Sequence, residues 1–565
     1  MRKKTLATLV FATLVLSGCA GIPKSSEVYY GAEVTEDSSS QFIRVIARSP
    51  SAGDNPEEIV RGFLQASADS SDDYGIAKEY LMPDSATTWN PTAGIEIYNS
   101  NEIEVFASDE QVSVTANKLG SISDLGRYTP EAPNSKISSN FDLQKNQSGE
   151  WRISKLDDGI LLSNGDIKRS FRGFPIYFFN ASLTNLITDS VLVPVSNAGA
   201  ATSLVRSLLD GPSPYISSVA TSAFPVGTSL TYGSVPVTDG IAQVDFSEEI
   251  LGADELTRRA LSAQLVWTLS VLPNVSAVEI TVSGQPFALN NVGPQQTVAD
   301  WEDLSPLRDP SFITLNSIRG DKIFAIENQV ESERLVTPTP VLSASSNLNG
   351  SKLALVTSDL KSMYVFDESL QTFEVAAQGE LISRPSWDPD GRIYYSDFGQ
   401  GLREISDGNI IRNVTIDTSL LGTGEQVKQI AVASDGARVA LVLSSGVEDV
   451  IAVGVIFRDD AVTRIIGLHR IEQSISSVRD IVWSSPTSIA AIASDQTGGE
   501  LLYEISLIDG DVIPYSAPVG AQNLAVDGAG KFYASVVDGL NQTVLQQAFG
   551  TWIEVTSGTG VFFSR

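Results

Sequence analysis

Cysteine and histidine are almost missing from this chain: Cys19 and His469 are the sole examples of each in 565 residues. No intramolecular disulfide is possible, so stability must come from ordinary hydrophobic cores, and the length suggests three or four domains. A Cys/His zinc cluster and a Cys-His nucleophile pair are excluded on inventory. A Ser-His-Asp triad would have to use His469, which lies in the strand-like segment Ile465-Ile466-Gly467-Leu468-His469-Arg470. No Gly-x-Ser-x-Gly elbow stands near a strand-to-helix turn, and no phosphate loop or dinucleotide fingerprint follows a predicted strand.

Positive charge is also scarce, with 38 Lys and Arg against 68 Asp and Glu and a formal net charge of -30. Such a balance argues against nucleic acid as a partner and against electrostatic docking on anionic lipid. Its plain reading is solubility. The apolar stretch from Leu6 to Leu16 is too short for a spanning helix, which needs about 20 such residues. It follows Arg2, Lys3 and Lys4 and ends in Leu16-Ser17-Gly18-Cys19, the arrangement of a lipoprotein signal. Residues 1–18 read as a signal peptide cut between Gly18 and Cys19, and Cys19 as a lipobox cysteine carrying diacylglycerol. Two acyl chains suffice for stable anchoring, which puts the protein on the extracytoplasmic face of a bacterial cell membrane. Residues 19–40 form a polar tether.

The remaining chain divides into three textures. Residues 41–165 read as an α+β domain: Asn55-Pro56-Glu57-Glu58 opens a helix with apolar Ile59, Val60, Phe63 and Ala66, and strands follow. A hairpin through Asn146-Gln147-Ser148-Gly149 ends the run, suggesting a cone of the nuclear transport factor two-like type. Residues 170–295 read as an α/β domain. There Ala201, Leu204, Val205 and Leu208 form a helical stripe stopped by Asp210-Gly211-Pro212, and Asp239-Gly240 makes a hairpin. A second helix capped by Asp254 turns Leu261, Leu265, Leu269 and Leu272 inward, and Val278, Ile280 and Val282 alternate as a strand.

Residues 310–565 are all-β. Short phrases recur before apolar strands: Ser345 to Gly350, Trp387-Asp388-Pro389-Asp390-Gly391, Ala433-Ser434-Asp435-Gly436, Ile481 to Pro486 and Val526-Asp527-Gly528-Ala529-Gly530. Their spacing of about 41 to 51 residues is the period of a four-stranded propeller blade. Five copies are visible and the length allows a sixth, which reads as a propeller of about six blades with five and seven as the alternatives, closure pairing a strand near Phe312-Ile313-Thr314-Leu315 with Val561-Phe562-Phe563. His469 then reads as a blade residue, and Trp387, Trp483 and Trp552 as blade core.

Chemistry is hard to find. Among 68 acids, neighbours such as Glu57-Glu58, Asp157-Asp158 and Glu248-Glu249 arise by chance and single out no glycosidase pair. Asp388-Pro389-Asp390-Gly391 opens like a calcium loop, but Gln400 stands where the bidentate acid is needed. No catalytic residue, metal site or cofactor is expected.

Together, Gly18-Cys19-Ala20-Gly21-Ile22-Pro23, Leu192-Val193-Pro194-Val195, Leu208-Leu209-Asp210-Gly211-Pro212 and Val278 to Gly284, followed by a propeller, resemble the LpqB family of actinobacterial lipoproteins. The middle motifs are similar to the GerMN domain of sporulation and germination proteins. The resemblance implies a non-enzymatic accessory of the MtrA-MtrB two-component system that contacts the extracytoplasmic domain of the sensor kinase MtrB and affects cell-wall homeostasis and division. Only Cys19 carries over as a defined functional residue. A peptidoglycan or envelope-glycan binding module is the alternative.

Overall fold

Asn55 starts the first helix through two reciprocal hydrogen bonds. Its side chain accepts from the Glu58 amide at 3.0 Å while the Glu58 carboxylate accepts from the Asn55 amide at 2.8 Å, so the capping box satisfies two amides that a helix start leaves open. In the computed structural model, the described residues are 47–131, 135–195, 199–306, 314–406, 409–417, 421–459, 462–471, 475–495, 497–539 and 541–564. Gly18, Cys19, the signal segment and the tether lie outside them.

Helix α1 (Pro56–Ala66) lays Ile59, Val60 and Phe63 on a curved sheet and buries them with Phe141, Leu143 and Ile153. The sheet runs Trp151–Lys155, Lys136–Lys145, Gln111–Ile122, Ile95–Tyr98, Ile160–Ser163. Its pairs are antiparallel except the last, where Ile160–Ser163 lies parallel to Ile95–Tyr98. The expected hairpin forms, with Gly149 at φ 81° in a turn held by the Asn146 side chain. It does not close the domain. The chain returns through Ile160–Ser163 to the far edge and continues into a short helix, Asn164–Ser170.

The middle domain opens with a long antiparallel hairpin, Phe171–Phe179 against Leu186–Pro194. Helix α2 (Ala200–Asp210) stops at Gly211, whose φ of 98° favours glycine. Val237–Thr238 and Ile241–Phe246 turn through Asp239 (φ 52°) and Gly240 (φ 81°), and Ile241–Phe246 runs parallel to Ala277–Val282. Helix α3 (Glu255–Leu269) is the crossover that a parallel pair requires. A single leucine face understates its burial: every residue from Ala260 to Leu269 is buried, because the Phe171–Phe179 strand, α2 and the Trp301 segment cover different sides. Two interior polar side chains on α3 serve backbone amides. Gln264 accepts from the Ala223 amide and Thr268 from the Tyr177 amide.

The third domain is a six-bladed β-propeller. Blades 2 to 6 each run outward through four antiparallel strands from an innermost strand: Val341–Ser346, Ser386–Trp387, Gln426–Val432, Ile475–Ser485 and Ala521–Val526. Blade 1 takes three strands from the start of the domain and its innermost strand, Gly560–Ser564, from the end of the chain, with Leu315 opposite Phe563 and Ile318 opposite Gly560. Each recurring phrase is the turn between the first and second strand of a blade. Blade 1 has no sixth copy because the two ends of the domain meet where that turn would be.

Blades 3 and 4 also join at their outer edges, where Ile410–Ile416 pairs in parallel with Thr463–Arg470. Trp387 and Trp483 staple neighbouring innermost strands, donating to the Ser345 and Ala431 carbonyls at 3.2 and 2.9 Å. Trp552 sits differently, on an outer strand, donating to the Ser516 carbonyl. Arg384 reaches from blade 3 to the buried Asp480 carboxylate of blade 5 (2.9 Å) and the Leu524 carbonyl of blade 6 (2.8 Å).

Candidate functional site at the three-domain junction

The three domains meet around side chains that no motif announces. Gly126, at φ 77°, turns the chain so that Arg127 enters the middle domain. There its Nη1 donates to Asp189 Oδ2 at 2.6 Å and its Nη2 to the Ser207 and Gly211 carbonyls at 3.0 and 2.7 Å. Those carbonyls belong to the C-terminal end of α2, which carries partial negative charge and lacks intrahelical partners. Ser207 returns a bond to the Leu125 carbonyl, and the Leu192 amide donates to the Gly126 carbonyl.

The propeller docks through blades 4 and 5. Ile508 sits in the hairpin between Glu500–Ser506 and Val512–Ser516 and packs against the N-terminal core. It also lies so close to Gly173 that a Cβ there would fall 2.3 Å from Ile508 Cγ2. Lys168 pairs with Asp511 at 2.5 Å. In blade 4, Asp435 of the recurring turn phrase accepts from the Thr188 amide at 3.4 Å while holding Arg438 Nε at 2.6 Å.

Between these contacts lies a cavity of about 680 Å³ with walls from all three domains. That volume suits a drug-sized molecule. The N-terminal wall includes Leu119 and Tyr128, the middle wall Asp189 and Tyr215, and the propeller wall Arg438 and His469. The His469 and Tyr215 rings stand 6.4 Å apart, and the Arg438 guanidinium stacks 5.0 Å from the Trp483 ring. Burial pushes His469 below its ordinary value of 6.5 and raises Tyr128 to about 12, so both are neutral at pH 7.

His469 is a blade residue, on the outer strand of blade 4, and also a wall of the cavity. The Asp388 phrase is a blade turn: its carboxylate accepts from the Arg392 amide at 2.8 Å and from Arg458 at 3.0 Å. Burial raises the Asp388 carboxyl against the pull of Arg458. Among the acid neighbours, Glu58 serves the α1 cap and Asp158 accepts from the Asn90 amide. Among the described residues, no group of three His, Cys, Asp or Glu could hold a metal, and no helix is long and apolar enough to cross a membrane. Arg127, Tyr215 and Arg438 carry no sequence signal of their role. Ile508 does carry one, as an apolar residue in a hairpin turn before Asp509-Gly510, where polar residues are expected.

Family models match within each of the three domains. The N-terminal domain of lipoprotein LpqB matches residues 49–168, the sporulation and spore germination model residues 175–288, and the lipoprotein LpqB beta-propeller domain residues 333–562. The chain belongs to the LpqB lipoprotein family. Lipoprotein LpqB from Cutibacterium acnes is 26% identical over 538 residues, covering 90% of each chain. Lipoprotein LpqB from Thermobifida fusca is 23% identical over 555 residues, covering 87% of this chain and 88% of its own. Among solved structures, TolB from Acinetobacter baumannii covers 47% of this chain and 70% of its own, with 15% identity and a TM-score of 0.37. The LpqB propeller match begins at residue 333, so the first two strands of blade 1, Thr314–Arg319 and Lys322–Glu327, precede it.

Proposed function

We propose that this LpqB-family chain is held by a diacylated Cys19 on the extracytoplasmic face of the cell membrane. There it acts as a non-enzymatic accessory regulator of a two-component sensor kinase of the MtrA-MtrB type, through contact with the extracytoplasmic domain of the kinase. Cell-wall homeostasis and division are the processes it influences. The observation that supports this reading is the docking of three domains into one body by Arg127, Ile508 and the Lys168–Asp511 pair. A scaffold joined in this way presents surfaces of all three domains in a fixed relation to one another.

Crosslinking in intact cells tests it without presuming the neighbour. Recovery of a sensor kinase with wild-type protein, and its loss for Cys19→Ala in the face of a normal fold, is the expected result. Failure of the kinase ectodomain to co-purify with the folded full chain at micromolar concentration overturns direct contact. Sedimentation with purified wall material in the absence of kinase would instead support envelope-glycan binding.

A further inference from the structure

The junction cavity is surrounded by hydrogen-bond donors that the protein does not use. Arg127 commits Nη1 and Nη2 but leaves Nε without a partner, and Arg438 commits Nε but leaves Nη2 without one. Both side chains are more than nine-tenths buried. The Tyr215 hydroxyl and the His469 ring nitrogens also have no hydrogen-bond partner among the described residues. A buried donor left unpaired costs about 1–3 kcal/mol, more when it is charged, so the two arginine atoms are unfavourable as they stand, while the Tyr215 hydroxyl and the His469 ring are accessible to whatever fills the cavity.

The walls narrow what that acceptor is. Guanidinium N–H groups favour oxyanions, with which they form short charge-assisted bonds. The acids nearest the arginines are already engaged: Asp189 by Arg127 and the Ser213 amide, Asp435 by Arg438. Apolar side chains such as Leu119, Val453 and Leu507 line the remainder, which suits a carbon skeleton better than a bare ion.

We propose that the three-domain junction is a binding site for a small organic anion. Its carboxylate or phosphate accepts from the Arg438 guanidinium and Tyr215 Oη, and its carbon skeleton lies against the apolar wall. Neutral His469 offers one further N–H. Because the site has walls from all three domains, its occupant would bind only the docked arrangement and stabilise it by mass action.

The test is calorimetric titration of the full chain in detergent with glycerol 3-phosphate, N-acetylglutamate and inorganic phosphate. The expected result is saturable binding of at least one organic anion, tighter than that of inorganic phosphate and weakened about tenfold by Tyr215→Phe, the loss of one hydrogen bond to a charged group. Tyr215→Phe keeps the ring, and His469→Gln provides a second variant that leaves Arg438 and its stacking on Trp483 untouched. Stronger binding of glycerol 3-phosphate or of N-acetylglutamate assigns the phosphate or the carboxylate class. Absence of saturable binding for both organic anions at millimolar concentration overturns the proposal, as does binding that neither variant changes while both remain folded.

Discussion

Arg127 Nη1 donates to Asp189 Oδ2 across the boundary between the first two domains at 2.6 Å, with about 9% of each side chain exposed. The same guanidinium closes the end of α2 through the Ser207 and Gly211 carbonyls. One side chain thus supplies the missing donors of a helix terminus, neutralises a buried carboxylate and lines the junction cavity.

Arg127→Met should therefore cost more than the loss of one ion pair. It strands the Asp189 carboxylate and two helix-end carbonyls in a buried site, and breaking a buried pair from one side costs about 3–5 kcal/mol. Denaturant unfolding should show a loss of this size. The double variant Arg127→Met with Asp189→Leu should recover part of it, since the uncompensated charge is gone. Equal stability of the single and double variants would show that Asp189 is not stranded.

Gly173→Val places a side chain where Ile508 Cγ2 already lies 2.3 Å from the Cβ position. The strand backbone accepts valine, so the cost falls on docking rather than on the local fold. Protease cleavage between the middle domain and the propeller should become faster. Ile508→Ala in the same chain should slow it again. Cleavage at the wild-type rate in Gly173→Val would mean that the hairpin of blade 5 moves aside freely.

Removal of residues 559–565 takes away the innermost strand of blade 1 and with it the buried Val561 and Phe562. Thr314–Arg319 becomes an open edge, which promotes association with other chains. Size-exclusion chromatography should show oligomers. Proteolysis should start within residues 314–336, while α1 and its sheet keep their protection.

Two titrations separate by pH. The Arg470 hydrogen bond holds the Glu425 carboxyl below its ordinary 4.5, so its contribution is present above that value and is lost as pH falls through the folded value. Burial lowers His469 below 6.5. The unfolded chain then takes up a proton that the native state declines, and stability falls as pH drops below 6.5. His469→Gln should flatten the stability curve just below pH 6.5, and Glu425→Gln should flatten it below 4.5. Unchanged slopes in these windows would remove the two groups from the acid sensitivity of the fold.

Much of the fold was legible because local chemistry decided it. The Asn55 cap, the Asp239-Gly240 turn, the Gly211 stop and the period of the blade turns each depend on a few adjacent residues, and all appear where the sequence puts them. The extent of α3 burial was not legible, since three elements distant in sequence cover it. Trp387 and Trp483 share one blade position as expected, whereas Trp552 uses the same indole N–H on an outer strand. Of the junction, Ile508 carries a local signal, an apolar residue before Asp509-Gly510, that the sequence reading did not single out. His469 could be placed on a strand, but not opposite Tyr215, 254 positions away in number and 6.4 Å in space.

By itself the sequence determined what its inventory and short-range patterns control. These are the absence of disulfides, the lipobox at Cys19 as the expected anchor, three successive textures and a repeated blade. The sequence also pointed to a sixth blade and to closure between Thr314-Leu315 and Val561-Phe562-Phe563; the tertiary structure fixed that register and alone decided that blades 4 and 5 carry the other two domains. Turn and cap preferences act over a few residues, whereas closure and docking depend on which distant surfaces complement one another. That complementarity places Arg127, Tyr215, Arg438 and His469 around one cavity.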